Sequence, residues 1–152
     1  MKSSFTTRIA TADDLDPLTL LFDQYRQFYG CTPDLGAAGD WLATNIQHNR
    51  SVIFVALADT EMLGFTQLYP ALCSVELVDY FVLYDLFVAE SARRKGMGRA
   101  LMNAAREWAA QQGAARLDLE TARDNNAGQA LYRSLGYQVD EVFLKFSLDL
   151  SP

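Results

Sequence analysis

The sequence predicts a single α/β domain, a mixed sheet with helices on both faces. Three observations carry that prediction. Apolar runs of strand length alternate with helical stripes along the 152 residues. No repeat, low-complexity tract or interdomain linker interrupts them. Half of the residues are hydrophobic and 21% are charged, the balance of a chain with a proper core.

Residues 5–10 read as a short strand. Thr11-Ala-Asp-Asp14 has the form of a capping box with Asp in place of Glu, so the Thr11 hydroxyl meets a free backbone N–H. The helix that follows carries Leu18, Leu21, Phe22, Tyr25 and Phe28 at helical spacing and ends at Gly30. A second helix spans residues 35–47, with Trp41, Leu42 and Ile46 on one side. Residues 51–58, SVIFVALA, form a strand covered on both faces. Residues 63–69 form another, blunted by Pro70. Residues 71–80 read equally as extended chain or loop. Residues 83–89, LYDLFVA, make a third strand that runs into RRKGMG. The next helix buries Leu101, Met102, Ala105, Trp108 and Ala109 and stops at Gly113. Residues 115–121 alternate like a strand, and residues 125–135 form a short helix closed by Gly136. Tyr137 and residues 142–150, VFLKFSLDL, supply the last strands.

The bulk chemistry excludes several classes. A net charge of −6 argues against a general nucleic-acid binder, which needs a basic face. No apolar run reaches the length of a membrane span, and the first residues, MKSSFTTRIATADD, lack the apolar core of a signal peptide. Cys31 and Cys73 belong to no CxxC pair and read as reduced thiols of a cytoplasmic protein. With His48 the only histidine, no zinc spacing can be drawn, and no metal is expected. His48 sits in polar IQHNR near a helix end, where a solvated or capping role fits. No Ser-His or Cys-His nucleophile system is available.

RRKGMG carries the chemistry. A strand ending in a glycine-bearing turn that opens a helix offers unpaired N–H groups and the positive end of the helix dipole. Arg93, Arg94, Lys95 and Arg99 add cationic charge. The stretch reads as a pyrophosphate cradle or as an ordinary solvated turn that happens to be basic. A nucleotide P-loop is excluded because no Gly-Lys-Ser follows, and GxGxxG is absent too.

Residues 83–137 resemble the core of the GNAT superfamily of acetyl-CoA-dependent N-acetyltransferases. That family's [QR]xxGx[GA] motif is matched by Arg93-Arg94-Lys95-Gly96-Met97-Gly98. A second motif, Asn-x-x-Ala-x-x-x-Tyr-x-x-x-Gly-[FY], is matched by NNAGQALYRSLGY from Asn125, with Gly128 in place of the small Ala.

The resemblance implies acetyl-CoA as donor, with the backbone from Arg94 to Arg99 holding its pyrophosphate and Arg93 at the mouth of the turn. It implies that the preceding strand splays from its neighbour, so that backbone groups of Leu86, Phe87 and Val88 meet the pantetheine arm and polarise the thioester carbonyl. Tyr132 falls on the motif tyrosine and would protonate the departing thiolate. Asn125 would cap its helix and contact the cofactor arm. Two carboxylates are candidates for the acceptor amine: Asp85, in an otherwise apolar strand, and Glu120, at the end of the strand next to it by family topology. Many polyamine and thialysine acetyltransferases carry Glu-Asp where Tyr84-Asp85 stands here, which weakens a specific polyamine assignment. Tyr25, Phe28 and Tyr29 would form part of the acceptor pocket wall, although such spacing also suits core packing.

The expected function is transfer of an acetyl group to a primary amine of a small molecule such as an amino acid or polyamine, by direct attack in a ternary complex. The alternatives are the same chemistry on a protein lysine or N-terminus, and a CoA-binding module without turnover. Homodimers are common among similar proteins. The stretch VFLKFSLDL is a candidate interface, or a strand inside the chain's own sheet.

Overall fold

A computed structural model describes residues 4–152. They fall into two compact units, one up to Glu120 and one from Thr121 to Pro152.

The first unit is built on a five-stranded sheet: β1 (Thr6–Ile9), β2 (Val52–Ala58), β3 (Glu61–Cys73), β4 (Val78–Val88) and β5 (Leu117–Asp118), in that order across the sheet. β1 to β4 pair antiparallel and β5 joins β4 in parallel, so the sheet is mixed. Three helices cover it: α1 (Leu15–Phe28), α2 (Leu35–Gln47) and α3 (Met97–Gln111). The alternation of β3 shows how they divide. Phe65, whose ring meets Phe22 and Tyr25, and Gln67, bonded to Asn45, face α1 and α2. Gly64, on the opposite face, lies against Leu101 and Met97 of α3. Leu18, Leu42, Val55 and Phe65 are fully buried, as is Leu101 across the sheet.

Local chemistry sets the helix ends. Asp34 caps α2 by accepting the Ala37 N–H at 3.0 Å, and His48 is its C-terminal cap residue, as the sequence suggested. Ahead of α1, Asp14 accepts the Thr11 N–H at 2.9 Å and takes both arms of Arg8 at 2.7 and 2.8 Å. Arg8 thereby holds the Asp14 carboxyl below its usual range, against the opposing effect of burial.

Four expectations are corrected. β3 does not stop at Pro70 but runs to Cys73 in a hairpin with β4. Phe81, opposite Pro70, donates its N–H to Arg116 on the β5 side, so this pair exchanges no β3–β4 bonds and the missing proline N–H costs none. β5 is shortened to Leu117 and Asp118 rather than residues 115–121, because β4 pairs with it at only two positions. Trp41 is not part of the buried stripe of α2; it is 45% exposed.

The fourth correction lies in the second unit. α4 (Asn126–Ser134) forms as expected, and Gly136 takes φ +95° behind it. The strand read from VFLKFSLDL does not form: among the described residues, 142–150 join no strand ladder, and Val142, Phe143, Leu144, Phe146, Leu148 and Leu150 are exposed. Period-two alternation marks a segment able to pair, but a strand exists only where a neighbour takes up its N–H and C=O groups.

Candidate active site

The centre of the first unit's candidate site is Asp85. It is 7% exposed, and Leu86, Phe87 and Val88 follow it in β4. Tyr25 of α1 donates its hydroxyl to Asp85 Oδ1 at 2.9 Å, and Gln67 of β3 donates Nε2 to Oδ2 at 2.9 Å. Burial raises the Asp85 carboxyl above its usual range, while these two donors favour the ionised form and oppose the rise. Tyr25 shows the reciprocal effect: burial, then the Asp85 charge, pushes its hydroxyl well above the ordinary tyrosine value.

A β-bulge aims this residue. Gln67 pairs with Asp85 but Leu68 pairs with Leu83, so Tyr84 is an extra residue in β4. The slip turns Asp85 to the face of Gln67 and the α1 helix, while Leu83 looks the other way. The Tyr84 ring meets Tyr69 at 5.6 Å, which places it over the same face, and it is 64% exposed.

The wall around Asp85 is aromatic. Tyr25 packs against Tyr29 at 5.2 Å and Phe87 at 5.8 Å, and Phe28 packs against Phe87 at 6.4 Å. Phe28 and Tyr29 are largely exposed, so their rings form a rim rather than core. The structure thus brings together Asp85, Tyr25, Phe28 and Tyr29. Glu120 is exposed, lies beyond the two paired residues of β5, and takes no part in the hydrogen bonds of Asp85.

The cofactor-side features follow from backbone geometry. β4 pairs with β5 only at Phe81 and Val82, so among the described residues Leu83 to Val88 have no strand on that side. Leu86, Phe87 and Val88 lie along this unpaired stretch. Past Val88 a short 3-10 turn, Glu90–Ala92, leads into the basic stretch. Arg94 takes φ +63° and Gly96 φ +85°, and Gly96 caps α3. A side chain at 96 would meet no atom, so what the glycine supplies is the left-handed conformation. The Ala100 N–H closes onto the Gly96 carbonyl, and the Met97 and Gly98 N–H groups precede the first intrahelical bond. Arg94 and Arg99 are exposed here. Lys95 is folded back onto the Ser91 carbonyl at 3.2 Å. Arg93 donates Nε to the Val88 carbonyl at 2.9 Å and lies over the Phe28 and Phe87 rings at 5.7 and 5.5 Å. An exposed helix N-terminus with clustered cations beside an unpaired strand edge fits a long diphosphate-bearing thioester.

In the second unit, Asn125 caps α4 by accepting the Gly128 N–H at 3.1 Å and donates to Thr121 Oγ1 at 3.0 Å. Its carboxamide fills the space of a Cβ at 128, where Asn125 Cγ would be 2.9 Å away, which accounts for glycine at this position. Tyr132 is half-buried on α4 with Tyr137 at 6.2 Å.

Residues 18–137 match the acetyltransferase (GNAT) family. The chain belongs to that family. An uncharacterised N-acetyltransferase of Bacillus subtilis, YhfO, is 39% identical over 94% of this chain and 96% of its own. The crystal structure of a probable acetyltransferase superposes with a TM-score of 0.91 at 36% identity, covering 97% of this chain and 99% of that one. An aminoglycoside N(6')-acetyltransferase type 1 of Klebsiella aerogenes is 28% identical over 70% of this chain and 72% of its own. The protein is therefore a GNAT N-acetyltransferase, and acetyl-CoA is the donor that this family uses.

Several polar residues of this acetyltransferase escaped the sequence reading. Gln67 Oε1 accepts from Asn45 Nδ2 at 3.0 Å and from Ser51 Oγ at 2.7 Å, all three buried. Tyr69 accepts from Asn45 Nδ2 and from Trp41 Nε1, each at 3.3 Å. The available signal was a glutamine inside the apolar run LGFTQLY, but its partner becomes visible only with the strand register. Among the described residues no cluster could hold a metal ion, and no helix is long and apolar enough to cross a membrane.

Proposed function

We propose that this acetyltransferase moves the acetyl group of acetyl-CoA to a primary amine of a small molecule, an amino acid, polyamine or related metabolite, by direct attack in a ternary complex. The observation that carries this reading is Asp85: a buried carboxylate, held by two neutral donors and, among the described residues, no cation, beneath a rim of exposed aromatic rings. Both donors leave lone pairs on the carboxylate for a cationic amine, and the aromatic faces attract the same cation.

When bound, acetyl-CoA supplies the activated acyl group. The chain's residues do the rest. The N–H groups at Gly96, Met97 and Gly98, with Arg93, Arg94, Lys95 and Arg99 around them, hold the pyrophosphate. Backbone groups of Leu86, Phe87 and Val88 hold the pantetheine arm and polarise the thioester carbonyl. Asp85 binds the acceptor ammonium and takes its proton directly or through water. Glu120 contributes charge on the acceptor side. On the strength of the motif, Asn125 touches the cofactor arm and Tyr132 protonates the departing thiolate.

The test is thiol release from acetyl-CoA with a panel of amino acids, polyamines, aminoglycosides and short peptides, with Tyr132→Phe beside the wild type. Turnover on a small amine, cut at least about tenfold by Tyr132→Phe, supports the reading. Turnover confined to peptides would replace it with protein acetylation, and CoA binding without turnover would replace it with a regulatory module. Self-association through the exposed stretch 142–150 belongs to the same proposal. Light scattering should show a dimer that Phe146→Glu weakens, and a wild-type monomer would refute it.

A further inference from the structure

We propose that Arg50 and Tyr69 form a carboxylate subsite beside Asp85, so that the preferred acceptor is an amine that also carries a carboxylate rather than a polycation. The inference rests on the reading of Asp85 as the amine anchor.

Three observations converge. Arg50 stands over the Trp41 ring at 5.0 Å, is exposed, and has no carboxylate partner among the described residues. Its charge is thus held in place by stacking, with its fork of N–H donors still available. The Trp41 indole N–H is spent on Tyr69, whose oxygen also accepts from Asn45. An oxygen that receives two N–H groups has its own O–H left to donate, and no acceptor for it is found among the described residues. Finally, Tyr69 feels both charges: Asp85 raises its hydroxyl and Arg50 lowers it, within an overall rise caused first by burial. The hydroxyl therefore lies within electrostatic reach of an anion anchored in β4 and a cation stacked on α2.

The distribution of charge reads the substrate. An ammonium at Asp85 is matched, and a carboxylate received by Arg50 and the Tyr69 O–H is matched as well. A second ammonium in that place would face Arg50, and on the opposite rim it would face Arg93 over Phe28 and Phe87. Rejection by a like charge is as much a source of specificity as attraction. Tyr84, exposed beside Asp85 and packed on Tyr69, offers an apolar surface for the body that joins the two groups.

The experiment compares matched acceptors: ω-amino acids of increasing length and L-lysine against their primary amides, with spermidine and kanamycin as polycations. The wild type should prefer each carboxylate over its amide by about tenfold or more in kcat/KM, since a charge-assisted contact is at stake. Arg50→Gln should collapse that ratio towards one, chiefly through KM, Arg50→Lys should restore part of it, and Arg50→Glu should invert it towards spermidine. A wild type that favours amides or polycations would overturn the proposal, as would an Arg50→Gln variant that slows both members of each pair alike. Acetyl-CoA binding and a thermal melt accompany each variant. Binding and folding without thiol release on any amine would instead overturn the small-amine reading beneath it.

Discussion

Tyr25→Phe isolates one hydrogen bond to the proposed amine anchor. The phenyl ring keeps its packing against Phe22, Phe65, Phe87 and Tyr29, so little apolar contact is lost. What disappears is the O–H donated to Asp85 Oδ1 at 2.9 Å. A hydrogen bond to a charged group contributes about 1.5–3 kcal/mol, and this one is longer than the tightest hydroxyl–carboxylate contacts, so the lower part of that range applies. About 1.5–2 kcal/mol corresponds to a ten- to thirtyfold rise in the proton affinity of the carboxyl. The sign follows from the chemistry: the donor favours the ionised form, so its loss makes Asp85 harder to ionise. The acid limb of the pH profile of kcat/KM should therefore move up by about one pH unit. Steady-state kinetics over a pH series reads this limb, and carbon NMR of the labelled Asp85 carboxyl reads the same titration without turnover. A limb that stays in place, or moves down, would refute Asp85 as the titrating group held by Tyr25.

Gln67→Leu should cost about 3 kcal/mol in urea unfolding, because it strips a donor from Asp85 and an acceptor from Asn45 and Ser51 in a buried cluster. Asp14→Asn should cost about 1–2 kcal/mol at pH 7, discounted because Arg8 is half-exposed. Its folded carboxyl is held below the unfolded value, so this contribution is present above about pH 4 and fades as pH falls, where the two proteins should converge in denaturation series. Gly96→Ala forces a side chain into φ +85° and should cost about 1 kcal/mol while weakening acetyl-CoA binding in calorimetry. Unaltered affinity in that variant would speak against the turn as the pyrophosphate cradle.

The basic turn before α3 and the buried acid of β4 were legible in the sequence for different reasons. RRKGMG carries its own geometry, because glycine placement and the strand-to-helix switch are local. The helices were legible because each has a stripe at helical spacing and a local stop, such as Gly113 behind α3. Asp85 stood out as an acid in an apolar strand. Its partners did not, because Gln67 reaches it only through the β3–β4 register, and that register contains a bulge at Tyr84 that no local signal announces. Trp41 shows the opposite error: at helical spacing it looks like core, while its place at the end of the Tyr69 chain gives it a polar neighbour and an exposed face. Residues 142–150 carried a strand period but form no strand, and pairing is a property of two segments, never of one.

Asp85 as the acceptor's anchor is the central claim, and Asp85→Ala tests it most directly. Acetyl-CoA affinity by calorimetry and thiol release against amine concentration would be measured on the same folded sample. The account predicts acetyl-CoA affinity close to that of the wild type, with kcat/KM for the amine down by about a hundredfold or more. Amine turnover that survives the substitution would contradict it.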